Sequence, residues 1–162
     1  VHKHMQRLHL LVPPRVCSAV LRTVFNGWTT HRRFQRRNFP TNVCVLGCGG
    51  QAEDSIEHYC RCPALQQVLK HRLRVSMPNG RALSSWLMDD PALDIDELLI
   101  CSALINYAGF TTFNHYRNSR PAEDQDTAKR TINQYMTQTA YGHGQLGTFL
   151  DNRWATGIHH II

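Results

Sequence analysis

Four of the chain's six cysteines and one of its ten histidines fall between Cys44 and Pro63, in the stretch CVLGCGGQAEDSIEHYCRCP. Such a density fits a metal site, a set of disulfides, or unliganded thiols in a core. Glycines beside the first two cysteines let the backbone turn back sharply, so that both sulfurs can point inward. This stretch constrains the fold most, because a structural zinc ion contributes about 10 kcal/mol or more, comparable with the stability of a whole domain.

The spacing of the Cys and His residues favours a metal site of the structural type. If the segment DSIEHYCRC is helical, His58 and Cys62 lie about one turn apart on the same face, whereas Cys60 lies on another. A tetrahedral zinc ion is therefore predicted, with these ligands: Cys44, Cys48, His58 and Cys62. Cys60 stays open as the alternative fourth ligand.

Disulfides and a catalytic metal are the competing interpretations of this stretch. Disulfides leave the histidine unexplained, and the sequence carries no apolar segment of a secretory signal. We therefore expect a reducing intracellular compartment, with the mitochondrion, another organelle and the nucleus left open. A catalytic zinc needs an open coordination position and a general base, and four ligands close the site. Although Glu57 adjoins His58, the pattern is not the His-Glu-x-x-His of metalloproteases, and we expect no enzymatic activity.

The positive charge is concentrated at the start of the chain. Residues 1–40 hold eight Lys and Arg and no acid, while the remainder holds ten basic and twelve acidic residues. Such a block is typical of a protein with a polyanionic partner, most often nucleic acid.

In THRRFQRRNFP, arginines alternate with phenylalanines, a composition suited to phosphate contact and base stacking. The predicted nucleic-acid-binding residues are Arg32, Arg33, Arg36 and Arg37. A solvated basic face, or one that docks protein, is the alternative.

Apolar periodicity along the chain predicts a mainly α domain. The apolar content of 42% is ordinary, and the longest apolar run, over 98–113, is too short and too polar to span a membrane. No alternating pattern of strand type extends beyond four residues. We predict a basic arm over 1–14, a zinc-knuckle helical domain over 15–118, and a C-terminal helix and tail over 119–162.

Three segments carry a family resemblance. The stretch EDSIEHYCRCP resembles the zinc-binding region found C-terminal to the reverse transcriptase of non-LTR retrotransposons, the zinc-finger-in-reverse-transcriptase family. The segments LRTVFNGWTTHRRFQ and LLICSALINYAGFTTFNHYRN are similar to the flanking parts of that region, so the resemblance covers 15–118. It implies a zinc-binding, nucleic-acid-associated module, not the polymerase itself, since the chain has no Tyr-x-Asp-Asp-like pair of catalytic acids.

These observations lead to two hypotheses about function. The first is a non-enzymatic, zinc-stabilised module of retroelement origin that binds nucleic acid, RNA in preference to DNA. The second is a structural subunit of a large multi-protein or ribonucleoprotein assembly, such as an organellar ribosome, in which the same zinc domain docks protein. Both predict a macromolecular partner, no membrane span and no small-molecule substrate.

Overall fold

The computed structural model describes residues 1–34, 43–49, 52–155 and 159–160. The predicted contact residues Arg36 and Arg37 lie outside this part of the chain. Within it the protein is mainly α, as the sequence predicts. The α-helices are α1 (His2–Leu11), α2 (Pro14–Val24), α3 (His31–Phe34), α4 (Ile56–Tyr59), α5 (Pro63–Arg72), α6 (Ala82–Trp86), α7 (Asp96–Arg117), α8 (Gln125–Tyr141) and α9 (Gly144–Ala155).

Local sequence signals set where the helices begin. Helices α2 and α5 each have proline in the first turn, where the missing N–H costs nothing. Asp124 caps α8, its side chain accepting a hydrogen bond from the amide of Thr127. Helix α7 has two acids in its first turn and His115 and Arg117 in its last, which complements the helix dipole at both ends.

Helix α7 is the central element of the fold. It packs against α1, α2, α5, α6 and α8, and its residues are buried almost all round. Close packing depends on Gly109, because a Cβ there would lie 3.1 Å from Leu65 of α5 and 3.3 Å from Trp86 of α6. The apolar run in the sequence is therefore the core around which the other helices pack. No helix in the described part of the chain is long and apolar enough to cross a bilayer.

The first fourteen residues, which the sequence marks as a basic arm, lie against the helical body. Residues 2–11 form α1, which packs against α7 and buries Leu8 completely. On its polar face, Lys3 and His4 contact Asp94 at 3.0 and 2.9 Å respectively, and Arg7 pairs with Asp96. The acids that balance this basic segment stand some ninety residues further along the chain, so charge counting by segment does not reveal the docking.

The remaining regular structure is small. Helix α8 packs on α5 and α7, and α9 packs on α8. Helix α9 has 12 residues and follows α8 within the segment predicted as a C-terminal helix and tail. Strand β1 (Val75–Ser76) pairs in parallel with β2 (His159–His160), which ties the end of the chain to the segment after α5.

Candidate metal centre

The first half of the candidate site is a tight loop that carries Cys44 and Cys48. The amide of Cys44 donates to the carbonyl of Ala52 at 2.7 Å, which closes the loop on itself. Gly47 adopts φ +73°, and a Cβ there would lie 2.5 Å from the backbone of Asp124 at the start of α8. Only glycine therefore fits where the loop meets the helical body. A hydrogen bond of 2.9 Å from the amide of Ala122 to the carbonyl of Val45 fixes the same contact.

The second half of the site is the short helix α4 with the turn that follows it. Ser55 caps α4, its hydroxyl accepting from the amide of His58 at 3.2 Å. The helix ends at Tyr59, and the turn continues with a 3.1 Å bond from the amide of Cys62 to the carbonyl of Tyr59. Cys62 then stands directly before α5. The single continuous helix assumed for this segment is thus two helical pieces joined by a turn.

These two halves bring together the four predicted ligands. The ligand atoms of Cys44, Cys48, His58 and Cys62 all lie within 4.8 Å of one another. The two closest sulfurs, Cys48 Sγ and Cys62 Sγ, are 3.3 Å apart. Because a zinc–sulfur bond is about 2.3 Å long, two sulfurs on one ion lie less than twice that distance apart. The spacing of the thiols therefore suits a single shared ion.

The histidine of the cluster gives a second indication of a metal. The Nε2 atom of His58 is buried and finds no hydrogen-bond partner among the described residues. Buried polar atoms almost always have a partner, so such an atom requires an explanation. A buried ring nitrogen beside three thiols fits a metal ion as its missing partner.

Cys60 does not join this cluster. Its thiol donates to the carbonyl of Glu57 at 3.3 Å, within its own helical turn. All six cysteines are free thiols in the structure, so the disulfide interpretation is not realised there. The geometry selects Cys62 over Cys60.

The three clustered thiols polarise one another even without an ion. Hydrogen bonds from the thiols of Cys44 and Cys62 lower the pKa of Cys48, and the interaction with Cys48 raises the pKa of Cys44. Two neighbouring thiols that donate hydrogen bonds thus stabilise one thiolate. Three thiolates at these distances would repel one another. A divalent cation removes that repulsion, which is the electrostatic reason why such a set of donors suits a metal.

A buried carboxylate connects the cluster to the rest of the protein. Asp54 is 2% exposed and accepts hydrogen bonds from the amide of His31 at 2.6 Å and from the hydroxyl of Tyr59 at 2.7 Å. Arg117 of α7 donates to it at 3.4 Å, and the Tyr59 hydroxyl accepts from the amide of Val45 at 3.3 Å. Asp54 therefore joins the cysteine loop, α3, α4 and α7. The sequence does not identify this junction, because Arg117 is 63 residues away from Asp54.

Aromatic side chains pack beneath this network. Trp28 is fully buried, and its ring lies 5.2 Å from Tyr59, 5.5 Å from Trp86 and 5.0 Å from Phe113, measured between centroids. Its indole N–H donates to Thr23 at 2.7 Å, which in turn donates to Asn106 at 2.7 Å. Trp28 is thus a core anchor and not a stacking platform for a ligand.

The described arginines of the predicted nucleic-acid site are partly engaged within the protein. The guanidinium of Arg32 lies 3.3 Å from Glu53 and 3.6 Å from Glu57, two acids of the cysteine stretch. The Arg33 guanidinium donates to the carbonyl of Trp28 at 3.4 Å. Both side chains are exposed, and both stand at the start of the basic segment. The sequence does not identify the two acids as neighbours of this segment, because the acids belong to the cysteine stretch.

No family model matches this sequence, and no curated protein or solved structure is significantly similar to it. The class is therefore defined by fold and site alone. The protein is a mainly α domain with a Cys-Cys-His-Cys cluster that could hold a metal ion. The family resemblance over 15–118 remains a hypothesis.

Proposed function

We propose that this protein is a non-enzymatic, zinc-stabilised module that binds nucleic acid, RNA in preference to DNA, and that it derives from a retroelement of the non-LTR type. The observation that carries the proposal is the convergence of three thiols and one imidazole within 4.8 Å. The resemblance of the same stretch to the region that follows the reverse transcriptase of non-LTR retrotransposons supports it. That resemblance associates the module with nucleic acid.

Zinc is the metal that this donor set favours. Three cysteines and one histidine form a soft, four-ligand set, which is typical of tetrahedral structural zinc. All four ligands come from the protein, so the site closes without a position for substrate. Zinc would therefore hold the cysteine loop against α4, and through Asp54 it would hold the start of α3.

The basic segment supports nucleic acid as the partner. Beyond the first forty residues acids outnumber bases, so the excess positive charge belongs to the N-terminal quarter. Although Lys3, Arg7 and Arg32 pair with acids, Arg15 and Arg22 have no carboxylate partner among the described residues. Together with the other arginines of the first forty residues, Arg15 and Arg22 would attract the phosphates of a nucleic acid.

The salt dependence of binding tests the proposal. Replacement of Arg32, Arg33, Arg36 and Arg37 by alanine should weaken the binding of a single-stranded RNA. It should also reduce the slope of log K against log salt by about 0.7 for each phosphate that the variant no longer neutralises. A matched control replaces four basic residues outside the segment: Lys70, Arg120, Lys129 and Arg130. Unchanged affinity and slope in the first variant would contradict the assignment of these arginines.

A structural subunit of a larger assembly is the second candidate, and an exposed apolar edge of α2 favours it. Leu21 and Phe25 are 41% and 75% exposed. They lie one helical turn apart, and adjoining exposed apolar side chains are frequent at docking surfaces. Under this alternative the isolated chain self-associates, and Phe25→Asp restores a monomer in sedimentation analysis. A monomeric wild-type chain that binds RNA would favour the first candidate.

A further inference from the structure

A cleft of about 390 Å³ is lined in part by α4, the helix that carries His58. Its walls come from the end of α2, the start of α3, α4 and α6. This volume is at the lower end of the roughly 300–1,000 Å³ typical of small-ligand sites, so it suits a group the size of a single nucleotide. The cleft adjoins Arg32 and Arg33, from which the basic segment continues along the chain.

The lining of the cleft suits a flat, polar-edged group. Apolar side chains from three helices face it: Val24 from α2, Ile56 from α4, and Leu83 with Leu87 from α6 or its end. Asn26 also lines the cleft and offers an amide that both donates and accepts. Asn26 lies just after the end of α2, and its φ of +51° is in the left-handed region, which asparagine tolerates better than most residues.

The charges at the cleft favour a neutral group over a phosphate. Arg32 and Arg33 line the cleft, but Glu57 also lines it, and Arg32 lies 3.3 Å from Glu53 and 3.6 Å from Glu57. Because both carboxylates lie beside Arg32, they offset its charge and weaken its attraction for an anion. Guanidinium and carboxylate groups nonetheless offer hydrogen-bond donors and acceptors, and guanidinium planes stack on nucleobases.

We propose that this cleft receives one unpaired base of a single-stranded nucleic acid. The inference rests on the proposed function and deepens it. It assigns recognition of a base to the cleft, whereas the phosphates of the strand supply affinity that does not depend on the base. The apolar walls enclose the faces of the base, and Asn26 contacts its edge. A duplex cannot offer such a base without unpairing it.

The experiment compares two strands of equal charge. One is an eight-nucleotide adenosine RNA, and the other has the same sugar-phosphate backbone with every base removed. Wild-type protein should bind the intact strand about tenfold or more tightly, the gain expected from stacking of even one base. Leu83→Phe, which fills the cleft, should remove most of that preference and leave the affinity for the abasic strand unchanged. Asn26→Gly, which tolerates the same φ, should reduce the preference about threefold, the effect of removing a hydrogen bond.

The controls distinguish failure of the cleft from failure of the proposed function. Asn79→Gly, in an exposed turn outside the cleft, should keep the full preference. Equal binding of both strands by wild-type protein, or a preference that survives in Leu83→Phe and Asn26→Gly alike, would overturn the cleft and leave general binding intact. Failure to bind either strand would contradict the proposed function itself. Adenosine monophosphate binding as tightly as the intact strand would show a site for free nucleotides and overturn the assignment to a strand.

Discussion

Residues that are not themselves ligands determine whether the four candidate ligands meet. Gly47 has φ +73°, and a Cβ there would meet the backbone of Asp124. Gly49, two residues on, has φ +83°, and a Cβ there would meet no atom of the described residues within 4 Å. Both positions carry the strain of a left-handed conformation for any other residue, but only Gly47 also meets a neighbouring backbone. A comparison of substitutions at the two glycines therefore distinguishes the effect of backbone strain from that of steric clash.

We predict that Gly47→Ala weakens metal binding more than Gly49→Ala does. Each change costs about 1 kcal/mol for the positive φ. The clash at Gly47 adds to this by pushing the cysteine loop away from α8. Competition of the protein with a chromogenic zinc chelator measures the two affinities. Equal reductions in both variants would mean that the loop does not depend on its contact with α8.

Among the helices, the informative contact is the one that Asp54 makes with three of them at once. It accepts from the first amide of α3, from Tyr59 of α4 and from Arg117 of α7. Side chains of both Asp54 and Arg117 are less than a tenth exposed, at 3% and 9%. Removal of the carboxylate charge from beside a nearly buried guanidinium is therefore costly.

We expect Asp54→Asn to reduce the free energy of unfolding by about 3 kcal/mol, the usual cost of breaking a buried ion pair. The neighbouring change Glu53→Gln should cost less than about 1 kcal/mol, because Glu53 is exposed and pairs only at the surface. Urea unfolding, followed by circular dichroism, measures both. Similar costs for the two variants would contradict the role of Asp54 as the junction between the metal centre and the helices.

The sequence predicts the helices and the candidate ligands well because both depend on local spacing. The long apolar run over 98–113 indicates α7, and the spacing from His58 to Cys62 identifies the cysteine that the structure places in the cluster. Local spacing does not predict contacts between distant segments. The docking of α1 on Asp94, the acids beside Arg32 and the pair of Asp54 with Arg117 all join residues far apart in the sequence. The cleft escapes prediction for the same reason.

For the domain as a whole, several carboxyl groups tie separate segments together in their charged form. Burial would raise the pKa of Asp90, but hydrogen bonds from Arg81, the amide of Ala92 and Ser85 hold it below its usual value. Bonds from Lys3 and then His4 lower the pKa of Asp94. A carboxyl whose pKa is lower in the folded state stabilises the fold above its unfolded pKa, and this contribution disappears as pH falls through the folded pKa.

We predict that the stability difference between wild type and Asp90→Asn depends on pH with that sign. At pH 6 the variant should be less stable by about 1–3 kcal/mol, because Asp90 is buried and satisfies several donors. The difference should begin to shrink as pH falls below about 4, where the carboxyl of the unfolded chain becomes protonated. It should keep shrinking until the folded carboxyl, whose pKa is lower, is protonated as well. Because both proteins carry the same cysteine cluster, the comparison cancels any loss of metal in acid. A difference that stays constant from pH 6 to pH 3 would contradict the assignment.

The metal content of the purified chain tests the central claim most directly. Elemental analysis is made on protein prepared without added metal, for wild type, Cys62→Ser and Cys60→Ser. Both substitutions remove one buried thiol from the same turn, but only Cys62 lies in the cluster. We predict one zinc per chain in wild type and in Cys60→Ser, and its loss in Cys62→Ser. Wild-type protein without metal, or a metal lost with Cys60 and kept without Cys62, would contradict the account.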